Sequence, residues 1–299
     1  MAQRASSRPV DLGQAEGFRQ WKHALYVIRR DPLAIFSVVV IGLFLFVAIA
    51  GPWIAPYPEQ GFGKTNVATR MLPPSREHPL GTDRLGRDML SRIIIGARPA
   101  LTTSLIVVAL AVAIGCLLGA IAGYAGGWVD DLIMRVTDLF LAFPSLLLAM
   151  AIVAAIGPGL THAMLAIAIS WWPWYTRLVR GVALSLRERY FVEAARSIGV
   201  SSLGIIFRHI LPNCISPILV QATIDIGTVI LAAGGLAFIG LGAQPPSPDW
   251  GLMVSEGRAF LLTQWWYSTF PGLAIFVTVL AFNLLGDALR DIFDPRQYR

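Results

Sequence analysis

Few residues of this chain have the type and spacing that bond chemistry requires. The four histidines are spread over the N-terminal tail and the loops, with no spacing typical of metal ligands; they are His23, His78, His162 and His209. Gly63-Lys64-Thr65 imitates the end of a phosphate-binding loop, but that motif needs a glycine five positions before Gly63, where Pro58 stands. We therefore predict no catalytic site, no metal and no cofactor on this chain, so any ATP and Mg²⁺ chemistry must belong to a partner.

Asp225 is the most unusual polar residue, because an acidic side chain inside an apolar span is costly and usually faces a bundle interior or a wet cavity. It lies in the first half of the stretch 214–241, with Gln221 one helical turn earlier. One interpretation places both residues on the lining of a pathway, where Asp225 meets a cationic group of a substrate. The other makes Asp225 an ion-pair or helix-cap partner at a contact with a second subunit.

The composition places the chain in a lipid bilayer. Of its 299 residues, 56% are hydrophobic and 14% are charged, whereas a soluble domain has about 25% charged residues. The net charge of +6 does not indicate nucleic-acid binding, because the cations cluster beside apolar spans, as membrane orientation requires. Cys116 and Cys214 lie in or beside apolar spans, so we expect no structural disulfide.

Six stretches are predicted to cross the membrane, for which roughly 20 mostly apolar residues are needed. The chain is therefore predicted to be a single all-α membrane domain with six transmembrane helices. The fourth stretch is short, and its end is predicted to lie in an aromatic belt formed by Trp171, Trp172, Trp174 and Tyr175. The fifth has a glycine-rich second half that we expect to be broken or closely packed. The six stretches are 33–54, 101–124, 139–156, 163–174, 214–241 and 270–285.

The lysines and arginines predict the orientation of these spans. Sixteen of the 24 fall in the two tails and in the loops 125–138 and 175–213, and seven of the other eight lie in the loop 57–98. The positive-inside rule then places both termini in the cytoplasm. The predicted segments are a cytoplasmic tail (1–32), a first transmembrane helix (33–54), an external loop with an amphipathic helix (55–100), a core with five transmembrane helices and the cytoplasmic loop 175–213 (101–286), and a cytoplasmic tail (287–299).

A polar, cationic island of some forty residues interrupts the apolar sequence between the fourth and fifth stretches. Its pattern predicts two short helices joined by a turn. The first, at about 187–198, ends where Gly199 can adopt the left-handed conformation that closes a helix. Ser201 or Ser202 can cap the second helix, and Pro212 is expected to stop it.

This island resembles the Glu-Ala-Ala loop of ABC-importer permeases. The shared features are the Glu-Ala-Ala at 193–195, a glycine six residues after the glutamate, and a Leu-Pro twelve and thirteen residues beyond that glycine. His209 is a departure from the general pattern, which has an aliphatic residue there. In that family the loop docks into a groove of the cytoplasmic ATPase subunit. The resemblance implies this contact for Glu193, Ala194, Ala195, Arg196, Ser197, Ile198, Gly199, His209, Leu211 and Pro212.

Further motifs resemble the dipeptide/oligopeptide/nickel permease subfamily, specifically the "C" member of a permease pair, over residues 30–299. The resemblance implies the type I ABC-importer permease fold and a location in the bacterial inner membrane. It also implies four kinds of partner: a homologous permease subunit that completes a heterodimer, two ABC ATPase subunits, an extracytoplasmic solute-binding protein and the bilayer. The motifs are residues 78–83 with 86–88 and 91–98, 123–130, 240–246 with 249–251, and 282–287 with 290–291 and 294–295.

The external loops carry two further predictions. Residues 78–98 are predicted to form a turn and an amphipathic helix on the membrane surface, with Arg92 and Arg98 reaching out to the interface. The loop 244–250 contains three prolines, so it is stiff and needs little ordering on binding. It either contacts the binding protein through Pro246, Asp249 and Trp250 or is simply a rigid turn.

The resemblance implies one half of a permease that imports di- or oligopeptides, or else glutathione-like peptides, nickel complexes or small sugars. A secondary transporter driven by an ion gradient would predict inverted repeats and paired intramembrane acids, whereas this chain has one deep acid and no repeat. A scaffold or receptor without transport would leave the Glu-Ala-Ala loop unexplained. We therefore expect a transport subunit with no enzymatic activity and no nucleic-acid partner.

Overall fold

The computed structural model describes residues 30–293, and over that range the chain is helical and forms no strand. The predicted tail 1–32 lies almost wholly outside the described residues, and the tail 287–299 lies partly outside them. The α-helices are α1 (Pro32–Ile54), α2 (Pro58–Gly61), α3 (Met89–Ala125), α4 (Gly127–Leu141), α5 (Ser145–Ile156), α6 (Leu160–Arg187), α7 (Tyr190–Ser197), α8 (Ser202–Ile205), α9 (Ile215–Phe238), α10 (Trp250–Gly257) and α11 (Trp266–Phe293).

Four helical segments of the described part are long and apolar enough to cross a membrane, namely Pro32–Ile54, Met89–Ala125, Ser202–Phe238 and Trp266–Phe293. Helices α4 and α5 make a fifth when they are taken together. Helix α6, which contains the predicted fourth span, is not among these segments. The structure therefore supports four or five spans, and the sixth span and the cytoplasmic termini stay predictions.

The third predicted span, 139–156, is wrong as a single helix. The chain bends by 83° between α4 and α5. Pro144 stands at the start of α5 with extended ψ, and a proline restricts the residue before it to non-helical backbone. The apolar composition of this stretch hid the break, because hydropathy does not register a change of direction.

Helix α1 packs through one face only. It begins where the side chain of Asp31 accepts a hydrogen bond from the backbone N–H of Leu33 at 2.9 Å. The ring of Phe44 lies 5.9 Å from that of Trp250 and 6.1 Å from that of Phe282, which joins α1 to α10 and α11. The buried residues recur every three or four positions, as one helix face requires; they are Ala34, Ser37, Ile41, Phe44, Ala48 and Gly51.

Helices α3 and α6 run in the same direction and touch along a line of glycines. Gly115, Gly119 and Gly123 are spaced four residues apart and face α6. A methyl group at Gly119 would lie 2.5 Å from the carbonyl oxygen of Thr176, and one at Gly123 would lie 2.6 Å from the Cβ of Ala183. No larger residue fits there, and small residues of this spacing are typical of close helix packing in membranes.

The predicted aromatic belt is wrong for three of its four members. Trp171, Trp172 and Tyr175 are buried, and only Trp174, 52% exposed, lies on the surface. The reason is that α6 continues to Arg187, so these residues sit in the middle of a helix and not at its end. They pack inside the chain; the rings of Trp172 and Phe140 are 5.3 Å apart.

The last two predicted spans correspond to α9 and α11. Helix α9 ends at Phe238, three residues before the predicted end of the fifth span. Its glycine-rich second half is closely packed, as predicted, because Gly234 lies directly against Gly251 of α10. One apolar core lies between α3, α6 and α9, and a second lies between α1, α10 and α11.

Candidate functional site

In the Glu-Ala-Ala hairpin (residues 187–213), α7 begins at Tyr190, three residues after α6 ends at Arg187. Gly199 follows α7 with φ +82°, which confirms the predicted left-handed closure. Its N–H donates to the carbonyl of Arg196 at 3.1 Å, and the N–H of Val200 donates to the carbonyl of Ala195 at 3.0 Å. These two bonds form a Schellman motif, which fixes the direction in which the chain leaves α7.

The second half of the hairpin continues further than predicted. The hydroxyl of Ser201 caps α8 by accepting a backbone N–H at 3.2 Å. The helical structure does not end at Pro212. It continues through a π turn (Ile206–Ile210) and a 3-10 turn (Leu211–Cys214) directly into α9. These irregular turns accommodate Pro212, which lacks an N–H for a regular helix, so the predicted stop is wrong.

The hairpin has one face buried in the chain and one face open. Val192, Ile205 and Ile210 are fully buried and belong to the same apolar core as α3 and α6. The opposite face exposes large apolar side chains, as a docking surface does and as a solvated turn does not. They are Tyr190 (90% exposed), Ile198 (81%), Leu203 (63%) and Phe207 (55%).

The predicted contact residues divide between these faces. Ala195 is buried, Leu211 is half-buried, and His209 is half-buried with its ring 6.3 Å from that of Phe191. The guanidinium of Arg196 lies 5.6 Å from the ring of Tyr124 at the end of α3, a cation–π distance. The exposed members are Glu193, Ala194, Arg196, Ser197, Ile198, Gly199 and Pro212.

Asp225 lies inside the chain. It is 5% exposed, and its Oδ1 accepts a hydrogen bond from Nε2 of Gln221 at 3.1 Å. Its Oδ2 and the hydroxyl of Tyr175 are buried without a hydrogen-bond partner among the described residues. Gln221 is half-buried and lines a cavity of about 310 Å³ with Arg290. Asp225 therefore faces the packed interior between α6 and α9, with Gln221 between it and the cavity.

The sequence analysis missed a buried ion cluster of Asp83, Arg87, Arg92 and Glu256. Asp83 accepts hydrogen bonds from Nε of Arg87 at 2.5 Å and from Nη1 of Arg92 at 2.6 Å. Glu256 lies 3.2 Å from Nη2 of Arg87 and 3.5 Å from Nη1 of Arg92. All four side chains are at most 5% exposed, so two acids and two arginines neutralise one another away from water.

This cluster corrects the predicted surface helix. Residues 89–98 are the first turns of α3, and Arg92 is fully buried in the cluster, so it does not reach the interface; Arg98 is exposed. Glu256 was the available signal, since an isolated acid in an apolar stretch needs a partner. The cluster joins the loop 55–88 and α3 to α10.

The cluster also fixes the proline-rich loop 244–250. Nη2 of Arg92 donates to the carbonyl of Ser247 at 3.1 Å, and the indole N–H of Trp250 donates to the carbonyl of Ile93 at 2.9 Å. Asp249 caps α10 by accepting from the N–H of Leu252 at 2.9 Å. Burial raises the pKa of the Asp249 carboxyl, against the effect of its backbone hydrogen bonds. Of the three predicted binding-protein contacts, Pro246 is exposed, and Asp249 and Trp250 are buried.

The residues considered for bond chemistry lie apart from one another. Lys64 pairs with Glu59 on the surface, and Nδ1 of His78 lies 2.9 Å from the buried carboxylate of Asp88. Among residues 30–293, no group of three or more His, Cys, Asp or Glu side chains could hold a metal ion. Cys116 and Cys214 are free and buried.

Two family models match the chain. Residues 115–299 match the binding-protein-dependent transport system inner membrane component, and residues 19–74 match the N-terminal transmembrane domain of oligopeptide transport permease C. The first match covers more than half of the sequence and includes the whole Glu-Ala-Ala hairpin.

Curated relatives match over nearly the full length. The chain is 47% identical to the probable D,D-dipeptide transport system permease protein DdpC of Escherichia coli K12, over 91% of this chain and 90% of the relative. It is 46% identical to the dipeptide transport system permease protein DppC of Alkalihalophilus pseudofirmus, over 96% and 94%. It is 47% identical to the glutathione transport system permease protein GsiD of Escherichia coli O6:K15:H31, over 92% and 90%.

A solved structure shows the same fold. A chain of the MetNI methionine ABC transporter, in an inward-facing conformation, superposes with a TM-score of 0.55 at 16% identity, over 69% of this chain and 98% of that chain. Taken with the two family models and the curated relatives, the hairpin and the apolar helices show that this chain belongs to the binding-protein-dependent transport system inner membrane components, as a permease subunit and not an enzyme.

Proposed function

We propose that the chain is one half of a heterodimeric permease in an ATP-driven importer of short peptides. It conducts the substrate across the bacterial inner membrane together with a homologous permease subunit. The family membership and the relatives' names support this role. The observation that carries the mechanism is the open face of the Glu-Ala-Ala hairpin.

The hairpin is the surface through which an ATPase subunit would act on the membrane helices. Its exposed apolar residues, such as Ile198 and Tyr190, have no cover within the described chain. Its buried face is continuous with the core of α3 and α6. A displacement of the open face is therefore passed to packed helices that move as units.

Partners supply what this chain lacks. Two ATPase subunits on the cytoplasmic side bind ATP and Mg²⁺, and this chain binds no cofactor. A solute-binding protein delivers the substrate to the opposite side, where Pro246 is exposed on a loop that the ion cluster holds in place. Both termini and the hairpin lie in the cytoplasm, as the distribution of positive charge favours.

The substrate class follows from the relatives. Permeases named for D,D-dipeptides, dipeptides and glutathione are equally similar to this chain, at 46–47% identity. All three cargoes are short peptides, so we assign that class and leave the choice within it to the binding protein. Mass spectrometry of what the cognate binding protein retains on purification would identify the peptide.

The burial of Asp225 determines how this residue contributes to substrate passage. With Gln221 between it and the cavity, Asp225 acts on the pathway through Gln221, and a direct meeting with substrate requires a conformation in which α6 and α9 separate. If an Asp225→Asn variant transports cationic and neutral peptides in the same ratio as the wild type, Asp225 does not contribute to substrate selection.

The experiment that tests the function is uptake by the complete transporter in cells. Glu193→Lys reverses the charge of an exposed hairpin residue, so we expect the protein to insert normally and vanadate-sensitive peptide uptake to be lost. The ATPase subunits should co-purify with the wild-type chain. Normal uptake by the variant would refute the coupling role of the hairpin, and wild-type uptake that is insensitive to vanadate would refute ATP-driven import.

A further inference from the structure

Polar side chains form a large part of the contact between helix α4 and the rest of the chain. Within the described structure its buried residues are Asp130 and Thr137, both polar. Several of its large apolar side chains point outward, with Trp128 76%, Leu132 55% and Leu139 63% exposed, whereas Phe140 packs against Trp172 of α6. Outward apolar side chains are expected of a helix that faces lipid, and polar side chains that lie inside a membrane protein usually pair with one another.

Two ion pairs join α4 to α6. The carboxylate of Asp130 receives two parallel hydrogen bonds from Arg180, from Nε at 2.5 Å and from Nη2 at 2.6 Å. The carboxylate of Asp138 lies 2.6 Å from Nη2 of Arg177. The first pair is bidentate and mostly buried, with the side chains 12% and 32% exposed; the second is about half-exposed. A bidentate arginine–carboxylate pair fixes orientation as well as distance.

The position of Arg180 links this contact to the hairpin. Gly119 of α3 lies against the backbone N–H of Arg180, so the arginine sits on the part of α6 that packs against the line of glycines in α3. Seven residues later α6 ends at Arg187, and α7 begins after two more residues. Helix α6 therefore connects the hairpin to the arginine that binds α4.

From these contacts we infer that Asp130 and Arg180 are positioning residues that pass the movement of the Glu-Ala-Ala hairpin to α4 and, through the 83° bend, to α5. The inference rests on the proposed function, since it assumes that an ATPase moves the hairpin. It adds the route: α4 follows α6 because a directional ion pair joins them beside the contact of Phe140 with Trp172, whereas the outward apolar side chains of α4 face lipid or another subunit.

A charge exchange in the complete transporter tests the route. The variants are Asp130→Arg, Arg180→Asp and the double variant with both changes, reconstituted in proteoliposomes with the ATPase subunits and binding protein. The readouts are peptide uptake, ATP hydrolysis, and their ratio. Each single variant should lower uptake per ATP hydrolysed by roughly tenfold, within the range typical of coupling between sites. The double variant should return it to within about threefold of the wild type, because the pair is restored in reverse.

Matched controls separate coupling from folding. Arg135→Asp changes a charge on the same helix at an exposed residue with no ion pair among the described contacts, and it should leave the ratio unchanged. Arg180→Lys keeps the charge but loses the bidentate geometry, so it should fold and still uncouple partially.

Three outcomes would overturn the inference. They are a parallel loss of uptake and ATP hydrolysis in the single variants and in Arg180→Lys, a double variant no better than the single ones, and an Arg135→Asp variant as uncoupled as Asp130→Arg. A wild-type chain that binds no ATPase would instead overturn the proposed function, and this inference with it.

Discussion

The two ends of the molecule place charged and apolar side chains in opposite ways. At one end, four charged side chains are buried and neutralise one another in the ion cluster of Asp83, Arg87, Arg92 and Glu256. At the other end, apolar side chains such as Tyr190 and Ile198 are 90% and 81% exposed. At the first end, charged side chains lie where water is excluded. At the second end, apolar side chains lie on the surface of the chain.

The difference shows which end is complete within the single chain. Buried charges need partners of opposite charge, and each charge of the cluster is paired within this chain, although Nε of Arg92 has no hydrogen-bond partner among the described residues. The loop 55–88, α3 and α10 therefore form one fixed unit. Exposed apolar groups gain stability only when another surface covers them. The hairpin end is therefore the end that needs a partner to cover its apolar side chains. Substitutions at each end should have different effects.

Disruption of the buried ion cluster should destabilise the folded chain more than any other substitution considered below. Glu256→Ala leaves Arg87 and Arg92 buried with one carboxylate between them, and breaking a buried pair destabilises by about 3–5 kcal/mol. The apparent melting temperature of the detergent-purified chain should fall sharply. The matched control is Arg84→Ala, which removes a half-exposed partner of the same glutamate at 3.4 Å and should change stability by less than about 1 kcal/mol. Equal shifts for the two variants would contradict the account of the cluster.

The next effect concerns the open face of the hairpin. Ile198→Ser removes an apolar side chain that is 81% exposed in the described chain, so the melting temperature should hardly change. Binding to the ATPase subunit should weaken by about tenfold or more, as when a residue central to an interface is truncated. Pull-down and uptake measurements check this. A variant that melts early but binds normally would show that Ile198 is structural.

The smallest effect sharpens the role of the turn. Gly199 has φ +82°, where a side chain is strained by about 1–2 kcal/mol, and no atom lies within 4 Å of a methyl group added there. Gly199→Ala should therefore destabilise through backbone strain alone. Gly181 in α6 has equally open space but no positive φ, so Gly181→Ala should be neutral or stabilising by about 0.5–1 kcal/mol. Thermal unfolding of the two variants compares them directly, and equal changes would exclude strain at Gly199.

The sequence predicted features that depend on local pattern. Apolar runs located the cores of α1, α3, α9 and α11, and cap residues located the turn of the hairpin at Gly199 and Ser201. The bend after α4 was missed because an apolar run has no direction. The buried Arg92 was missed because its partner Glu256 is 164 residues away in the chain, and only the fold brings them together.

The glycine contact between α3 and α6 illustrates the same limit. The spacing of Gly115, Gly119 and Gly123 is visible in the sequence and indicates a close approach. The spacing does not show which helix approaches these glycines. The predicted fourth span, 163–174, ended before the residues of α6 that contact Gly123. A motif shared with a family can be located from the sequence alone. A contact between segments that are distant in the chain can be identified only from the structure.

Site-specific cross-linking can show which face of the hairpin meets the ATPase, because both native cysteines, Cys116 and Cys214, are buried. In the complete transporter, Ala194→Cys should form a cross-link to the ATPase subunit with a short bifunctional reagent, since Ala194 is exposed on the hairpin. Ala195→Cys, the next residue but 5% exposed, should not. A hairpin in which both cysteines, or neither, reach the ATPase would contradict docking through this face.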